Sequence, residues 1–364
     1  MVKLGDVCKK GSSNIAQKDL EGHDGNYPIY GASGYIKGVD FYQMENAYIA
    51  VVKDGAGIGR IMKLPGKSSV IGTMQYIIPN DSVDIGYLAY AMEHMNLAKY
   101  YSGATIPHIY FKDYQKELFP LPSLDEQRKI AAVLDKISGL IAKRRQQLDK
   151  LDELVKSRFV EMFGAYTETA RLSDVATISG GLTKSTKRDK LPLRMPYLRV
   201  ANVSFASIDV SEMLSIGLTD EEYSKTLLQR GDLLFVEGNG SPDQIGRVAI
   251  WENQVIPCVH QNHLIKSRFN KELVIPSFAM YYFMSSKGRE QIKGKAVSTS
   301  GLYTLSVSKI SDLMLPTPPL DLQKQFAAFI AYTNKLKLAV QKSLEKLEIL
   351  KKALMKSDRS HVVL

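Results

Sequence analysis

Leu64-Pro65-Gly66-Lys67-Ser68 carries the Gly-Lys-Ser ending of a phosphate-binding loop, whose amides and lysine would cradle a nucleotide. That loop needs its first glycine at position 61, which is Ile61, and Gly59 lies two residues too far away. A turn between strands is the expected role. Cys258, His260 and His263 offer one sulfur and two imidazoles, but no second ligand cluster stands at a spacing that would complete a zinc site. Thr317-Pro318-Pro319-Leu320 has the prolines of an adenine-methyltransferase tetrapeptide without its amide and aromatic. No carboxylates are spaced as a nuclease cluster. The sequence therefore predicts no catalytic residue, no metal and no cofactor on this chain.

The remaining chemistry is readout. Sequence-specific nucleic-acid binding needs Arg, Lys, Asn, Gln and small hydroxyls on loops facing base edges, with amides and cations on phosphates. The Gly-rich segments of the first third offer Tyr30, Ser33, Lys53, Arg60, Ser102 and Thr105. Farther on, Lys184, Lys187 and Arg188 form a basic loop, joined by Arg199, Asn202, Asn239, Arg247 and Ser298.

The elements that would position these residues come in two copies. FPLPSLDEQRKIAAVL at 119–134 aligns with LPTPPLDLQKQFAAFI at 315–330 at a constant offset of 196, and the register persists through Leu148/Leu344, Leu151/Leu347 and Leu154/Leu350. Leu4-Gly5-Asp6-Val7 aligns with Leu172-Ser173-Asp174-Val175, and Ile58-Gly59-Arg60 with Ile245-Gly246-Arg247. Their offsets of 168 and 187 show that the middle of each copy has changed length inside a constant frame. After each Pro-x-Pro, which holds the chain extended, Asp125 and Asp321 sit where a helix start favours a carboxylate. Ile130, Leu134, Ile137, Ile141, Leu148, Leu151 and Val155 then follow largely at three- and four-residue steps, as do Val340, Leu344, Leu347, Leu350 and Leu354. Each helix of about 36 residues would be roughly 54 Å long. Pairing with each other, antiparallel, buries both stripes. Arg144 falls on the first seam and needs a partner there.

The segments before each helix carry short β-rich runs such as 47–52, 74–79, 232–236 and 247–251 between Gly, Asn and Asp turns, with brief helices near 84–100 and 276–291. The expected architecture is mixed α/β. A first globular domain covers 1–120, a spacer helix 121–164, a second domain 165–318 and a second helix 319–360. The 364 residues are 45% hydrophobic and 24% charged, as in globular proteins, with no run long enough for a membrane span. The first residues, MVKLGDVCKKG, hold no signal-peptide core, and two cysteines fit a reducing cytoplasm. The net charge of +10 is unevenly spread: residues 1–120 carry 12 basic and 12 acidic groups, whereas 321–364 carry 9 and 4. Charge of this size permits nucleic-acid binding without requiring it.

The two copies of PLPSLDEQRKIAAVLDKI, with YPIYGASG (27–34), KDGAGIGR (53–60), SGATIPHIYFKDYQKELFPLP (102–122), PYLRVANV (196–203) and GDLLFVEGNGS (231–241), resemble the specificity subunit of type I restriction-modification systems across essentially the whole chain. The resemblance implies two target recognition domains reading a bipartite double-stranded DNA sequence. It also implies helices that bind two methyltransferase subunits carrying S-adenosylmethionine, and restriction subunits that use ATP and Mg²⁺. By that resemblance Ile130, Leu134, Ile141, Leu148, Leu151, Val340, Leu344 and Leu347 serve as helix seam and partner surface. One departure is LDLQKQF against LDEQRKI, which puts Leu322 at the position of Glu126. A DNA-binding adaptor outside restriction and a nuclease or methyltransferase acting alone remain the alternatives.

Overall fold

A computed structural model describes residues 1–103, 106–299 and 301–357. The chain is mixed α/β and divides into two compact units, Met1–Gln147 with Val340–Leu364, and Leu148–Ala339.

In the first unit Tyr48–Val52 is buried at every position, as befits a run of Tyr, Ile, Ala and Val, and becomes an inner strand. It pairs with Met74–Pro79 and Ile61–Leu64, and Cys8–Ser12 closes the far edge, all antiparallel. A second sheet joins Gly34–Val39, Tyr27–Gly31 and Ser69–Val70, the last pair parallel. The helix Ile85–Met95 is capped by the Asp84 carboxylate, which accepts from the Tyr87 amide at 3.0 Å. The expected turn at Gly66-Lys67 is present: Lys67 has φ +51°, and a Cβ on Gly66 would lie 2.2 Å from the Glu45 carbonyl.

The second unit repeats this plan where the sequences have diverged. Ala176–Ser179, Leu264–Phe269, Leu233–Val236 and Val248–Ile250 form the same four-stranded order. Leu214–Leu218, Leu193–Leu198 and Val259–His260 form the same three-stranded order, again ending on a parallel pair. The pair Val2–Lys3 with Leu118–Phe119 recurs as Thr169–Arg171 with Met314–Pro316.

The long helices are Leu124–Phe163 and Leu320–Ser357, of 40 and 38 residues. The first contributes residues up to 147 to one unit and the rest to the other; the second crosses over at 339/340. Within the first unit Arg145 pairs with Glu348 at 2.7 Å, while Leu134 lines the same cavity as Leu354 and Met355. Within the second, Asp152 pairs with Lys337, and Phe159 and Phe163 pack on Phe326. Both sets of contacts are antiparallel. Asp152 and Glu348 are repeat equivalents, yet their basic partners have moved by one helical turn, since Lys337 corresponds to Ile141 and not to Arg145.

Ala131, Leu134, Ile137 and Ile141 are buried, Leu148 and Leu151 half-buried, and Val155, Phe159 and Phe163 buried again. In the second helix Phe326, Ile330 and Thr333 are buried, and Lys337, Val340, Leu344, Leu347, Lys351 and Leu354 half-buried. Two expected seam positions shift. Ile130 stands one residue off the stripe held by Ala131 and packs half-buried against the first unit's core. Leu350 stands one residue before Lys351 and faces solvent. Arg144, on the seam as expected, donates to Gln147 at 2.8 Å.

A buried glutamine ties each globular part to its long helix. Gln127 Oε1 accepts from the Asp84 amide at 2.8 Å, and its Nε2 donates to the Ser82 and Pro122 carbonyls. Its repeat equivalent Gln323 accepts from the Ile275 amide at 2.9 Å and donates to the Leu273 and Pro318 carbonyls. In both units the amide served is that of the residue preceding a core helix, Ile85–Met95 or Pro276–Met284.

Candidate nucleic-acid interface

Lys53–Arg60 leaves the buried strand Tyr48–Val52 and returns beside it. The Lys53 amide donates to Thr73 O, the Ile109 amide to Lys53 O, the Val52 amide to Arg60 O and the Gly59 amide to Val52 O, at 2.8–3.0 Å. Gly59 sits at φ +80°, and a Cβ there would lie 2.6 Å from the Ala98 amide nitrogen, so glycine is required. Arg60 is exposed and donates to the Ala32 carbonyl at 2.7 Å, which brings it beside the turn carrying half-buried Tyr30 and exposed Ser33. Lys53 lies 3.9 Å from Asp54, whose carboxylate also bonds His108. His108 packs on exposed Tyr110 at 4.1 Å between centroids. Exposed Ser102 reaches the His108 carbonyl. These groups form one neighbourhood; Thr105 lies outside the described residues.

The second unit builds the same cradle. Glu237 bonds His263 O, Leu305 bonds Glu237 O, Val236 bonds Arg247 O and Gly246 bonds Val236 O, each through its amide at 2.8–3.1 Å. These four bonds replace the first four one for one. Asn239 accepts from the Ser241 amide at 2.9 Å and pairs in a strand bridge with Tyr303. Arg247 donates to Gln244 at 3.2 Å, and exposed Ser298 sits opposite Tyr303 on the adjoining hairpin.

Not every expected readout residue is available. Arg188 clamps Glu222 with two bonds of 2.7 and 2.9 Å and donates to the Thr183 and Gly217 carbonyls, so its donors are turned inward. This pairing holds the Glu222 carboxyl down at about 2. Asn202 is buried, accepts from the Arg199 amide and donates to the Asp209 and Glu212 carbonyls; it braces its loop. Arg199 is half-buried and lies 3.5 Å from Glu212. Lys184 and Lys187 are exposed, as a phosphate contact requires.

The sequence reading missed Asp54, His108, Tyr110 and the Glu237–His263 pair, bonded at 2.7 Å. The offset of 196 pairs Ile109 with Leu305 but His108 with Thr304, so the repeat marks the place and not the histidine. No group of three or more His, Cys, Asp or Glu able to hold a metal occurs among the described residues. None of their helices is long and apolar enough to cross a membrane.

The family model for the type I restriction modification DNA specificity domain matches residues 1–152 and again 166–349. The MjaVIII type I restriction enzyme specificity subunit of Methanocaldococcus jannaschii is 24% identical over 393 residues, covering 98% of this chain and 90% of that one. The EcoKI specificity subunit of Escherichia coli is 23% identical, covering 70% of this chain and 59% of its own. Another M. jannaschii relative is 29% identical, but the match spans only 44% of that protein's length. In fold the chain is similar to the crystal structure of the type I restriction-modification S subunit from M. genitalium, with a TM-score of 0.56 at 15% identity, covering 98% and 95% of the two chains. With two copies of the domain covering most of its length, this chain belongs to the type I restriction-modification DNA specificity family.

Proposed function

We propose that the chain reads a bipartite double-stranded DNA target, each unit reading one half-site, and performs no chemistry of its own. The observation that carries this reading is the cradle built twice from the same four backbone bonds on loops of different sequence. A constant frame with variable side chains is what two independent readers of different half-sites require. Arg60 and Lys53 in one unit, and Arg247, Asn239 and Lys184 in the other, supply base-edge and phosphate donors. Two methyltransferase subunits dock on the long helices and bring S-adenosylmethionine. Restriction subunits with ATP and Mg²⁺ join that complex. The docking residues lie off the buried seam. Leu140 and Leu336 are repeat equivalents exposed at 45% and 39%, and Leu154 and Leu350 at 49% and 47%. Apolar exposure repeated at equivalent positions supports two like partners.

The test is to express the chain with and without a type I methyltransferase subunit from the same source and to sequence the modified bases. Adenine methylation at one split motif, present only with both proteins, is the expected result. Methylation by the chain alone would overturn the reading.

A further inference from the structure

We propose that Arg289 is a positioning residue that sets the shape of the second unit's readout loop and thereby the bases accepted at that unit's half-site. This rests on the reading given under Proposed function.

The two cradles share their frame but not their length: Lys53–Arg60 has eight residues and Glu237–Arg247 eleven. The longer loop leaves the carbonyls of Asp243, Ile245 and Gly246 pointing to one side. Arg289, on the helix Ser286–Lys295, gathers all three. Its Nη1 donates to Gly246 O at 3.0 Å, and its Nη2 donates to Asp243 O at 3.2 Å and Ile245 O at 2.6 Å. Phe205 lies under the guanidinium at 5.2 Å, and Lys293, one turn along, holds the Asp243 carboxylate at 2.6 Å. In the first unit nothing of the kind is needed. There Gly59 packs directly on the backbone of Ala98 in the short turn Leu97–Tyr100.

The guanidinium is half-buried and both of its terminal nitrogens face loop carbonyls, so they are directed at the loop and not at a phosphate. The loop's side chains Asn239, Gln244 and Arg247 therefore take their direction from a residue that need not touch DNA. The guanidinium reaches the three carbonyls from two nitrogens held at a fixed separation in one plane, whereas a lysine ammonium has a single nitrogen and would hold them in a different geometry.

The test uses the complete complex with its methyltransferase. A plasmid library carrying every single-base change in both half-sites is methylated by wild type, R289K and R289A, with thermal unfolding recorded for each. R289A should methylate the parent site about 10- to 100-fold more slowly, the scale of a misplaced contact. Its preference among bases should flatten only in the half-site read by the second unit. R289K should show the same one-sided bias more weakly at a near-unchanged unfolding temperature, and it decides the matter if R289A does not fold. Unchanged discrimination in the folded variants, or an equal loss at both half-sites, would overturn the proposal. A wild-type complex that recognises no split site would overturn the functional reading and this inference with it.

Discussion

At the scale of single residues, a few buried polar side chains make specific bonds whose loss can be measured. Gln127→Leu would leave the half-buried Asp84 amide and Pro122 carbonyl, and the more exposed Ser82 carbonyl, without their partner. Unpaired buried groups cost about 1–3 kcal/mol each. A loss of about 3 kcal/mol in each of Gln127→Leu and Gln323→Leu is expected, read as the unfolding midpoint in urea. Equal losses would show that the two ties are equivalent. His260 is a different case. Burial pushes its imidazole down from 6.5 to about 3, with Lys266 and Arg268 acting in the same direction. The folded protein therefore holds it neutral while the unfolded chain takes up a proton near pH 6.5. Its contribution to stability is complete above pH 6.5 and is lost as pH falls toward 3. Val70 occupies the equivalent place in the first unit's parallel strand pair. His260→Val should accordingly be less acid-sensitive than wild type when unfolding is measured between pH 7 and pH 4; parallel pH curves would refute the assignment. Neither Gln127 nor His260 announced its role in the sequence. The glutamines were legible as repeat partners, but their bonding depends on which loop carbonyls arrive beside them. Asn202 and Arg188 fitted a readout composition and proved to be inward braces for the same reason.

At the scale of elements, the long helices were legible almost residue by residue, because a stripe at three- and four-residue steps has one way to be buried. The misplacements of Ile130 and Leu350 are single-residue errors between adjacent apolar side chains, which spacing alone does not resolve. The sheets were only partly legible. Runs such as 47–52 and 74–79 signalled strands, but the parallel pairing of Tyr27–Gly31 with Ser69–Val70 joins segments about forty residues apart, and no local pattern encodes that. The distinction between seam and outer face gives a contrasting pair of variants. Leu148→Asp with Leu151→Asp places carboxylates in the half-buried stripe, and a destabilisation on the order of 3 kcal/mol is expected. Leu154→Asp with Leu350→Asp changes exposed positions, so unfolding should move by less than about 0.5 kcal/mol. Methyltransferase co-purification should nevertheless fall sharply. If the exposed pair leaves co-purification intact, the docking face lies elsewhere.

At the scale of the whole molecule, the consequential fact is that each long helix is continuous while its residues are divided between the two units. The buried and half-buried positions 134, 141, 148 and 155 in one helix, and 330, 337, 344 and 351 in the other, recur every seven residues. Deleting 141–147 and the repeat-equivalent 337–343 therefore brings Leu148 into the place of Ile141 and Leu344 into the place of Lys337. Both stripes stay in phase. Each helix shortens by about 10 Å, at 1.5 Å per residue. If helix length sets the distance between the half-sites, that is about three base pairs at 3.4 Å each. The unread gap of the methylated motif should then shrink by about three base pairs while the bases on either side stay the same. The deletion also removes Arg145 and Lys337, and with them the ion pairs to Glu348 and Asp152. The Arg145–Glu348 pair is largely exposed, so its loss should cost less than about 1 kcal/mol. Lys337 is half-buried in the stripe, and the incoming Leu344 fills its place with an apolar side chain. The measurement is base-resolution sequencing of DNA methylated by the deleted chain with its partner. An unchanged gap would show that helix length does not set the spacing. Altered bases in either half-site would show that the two units do not read independently.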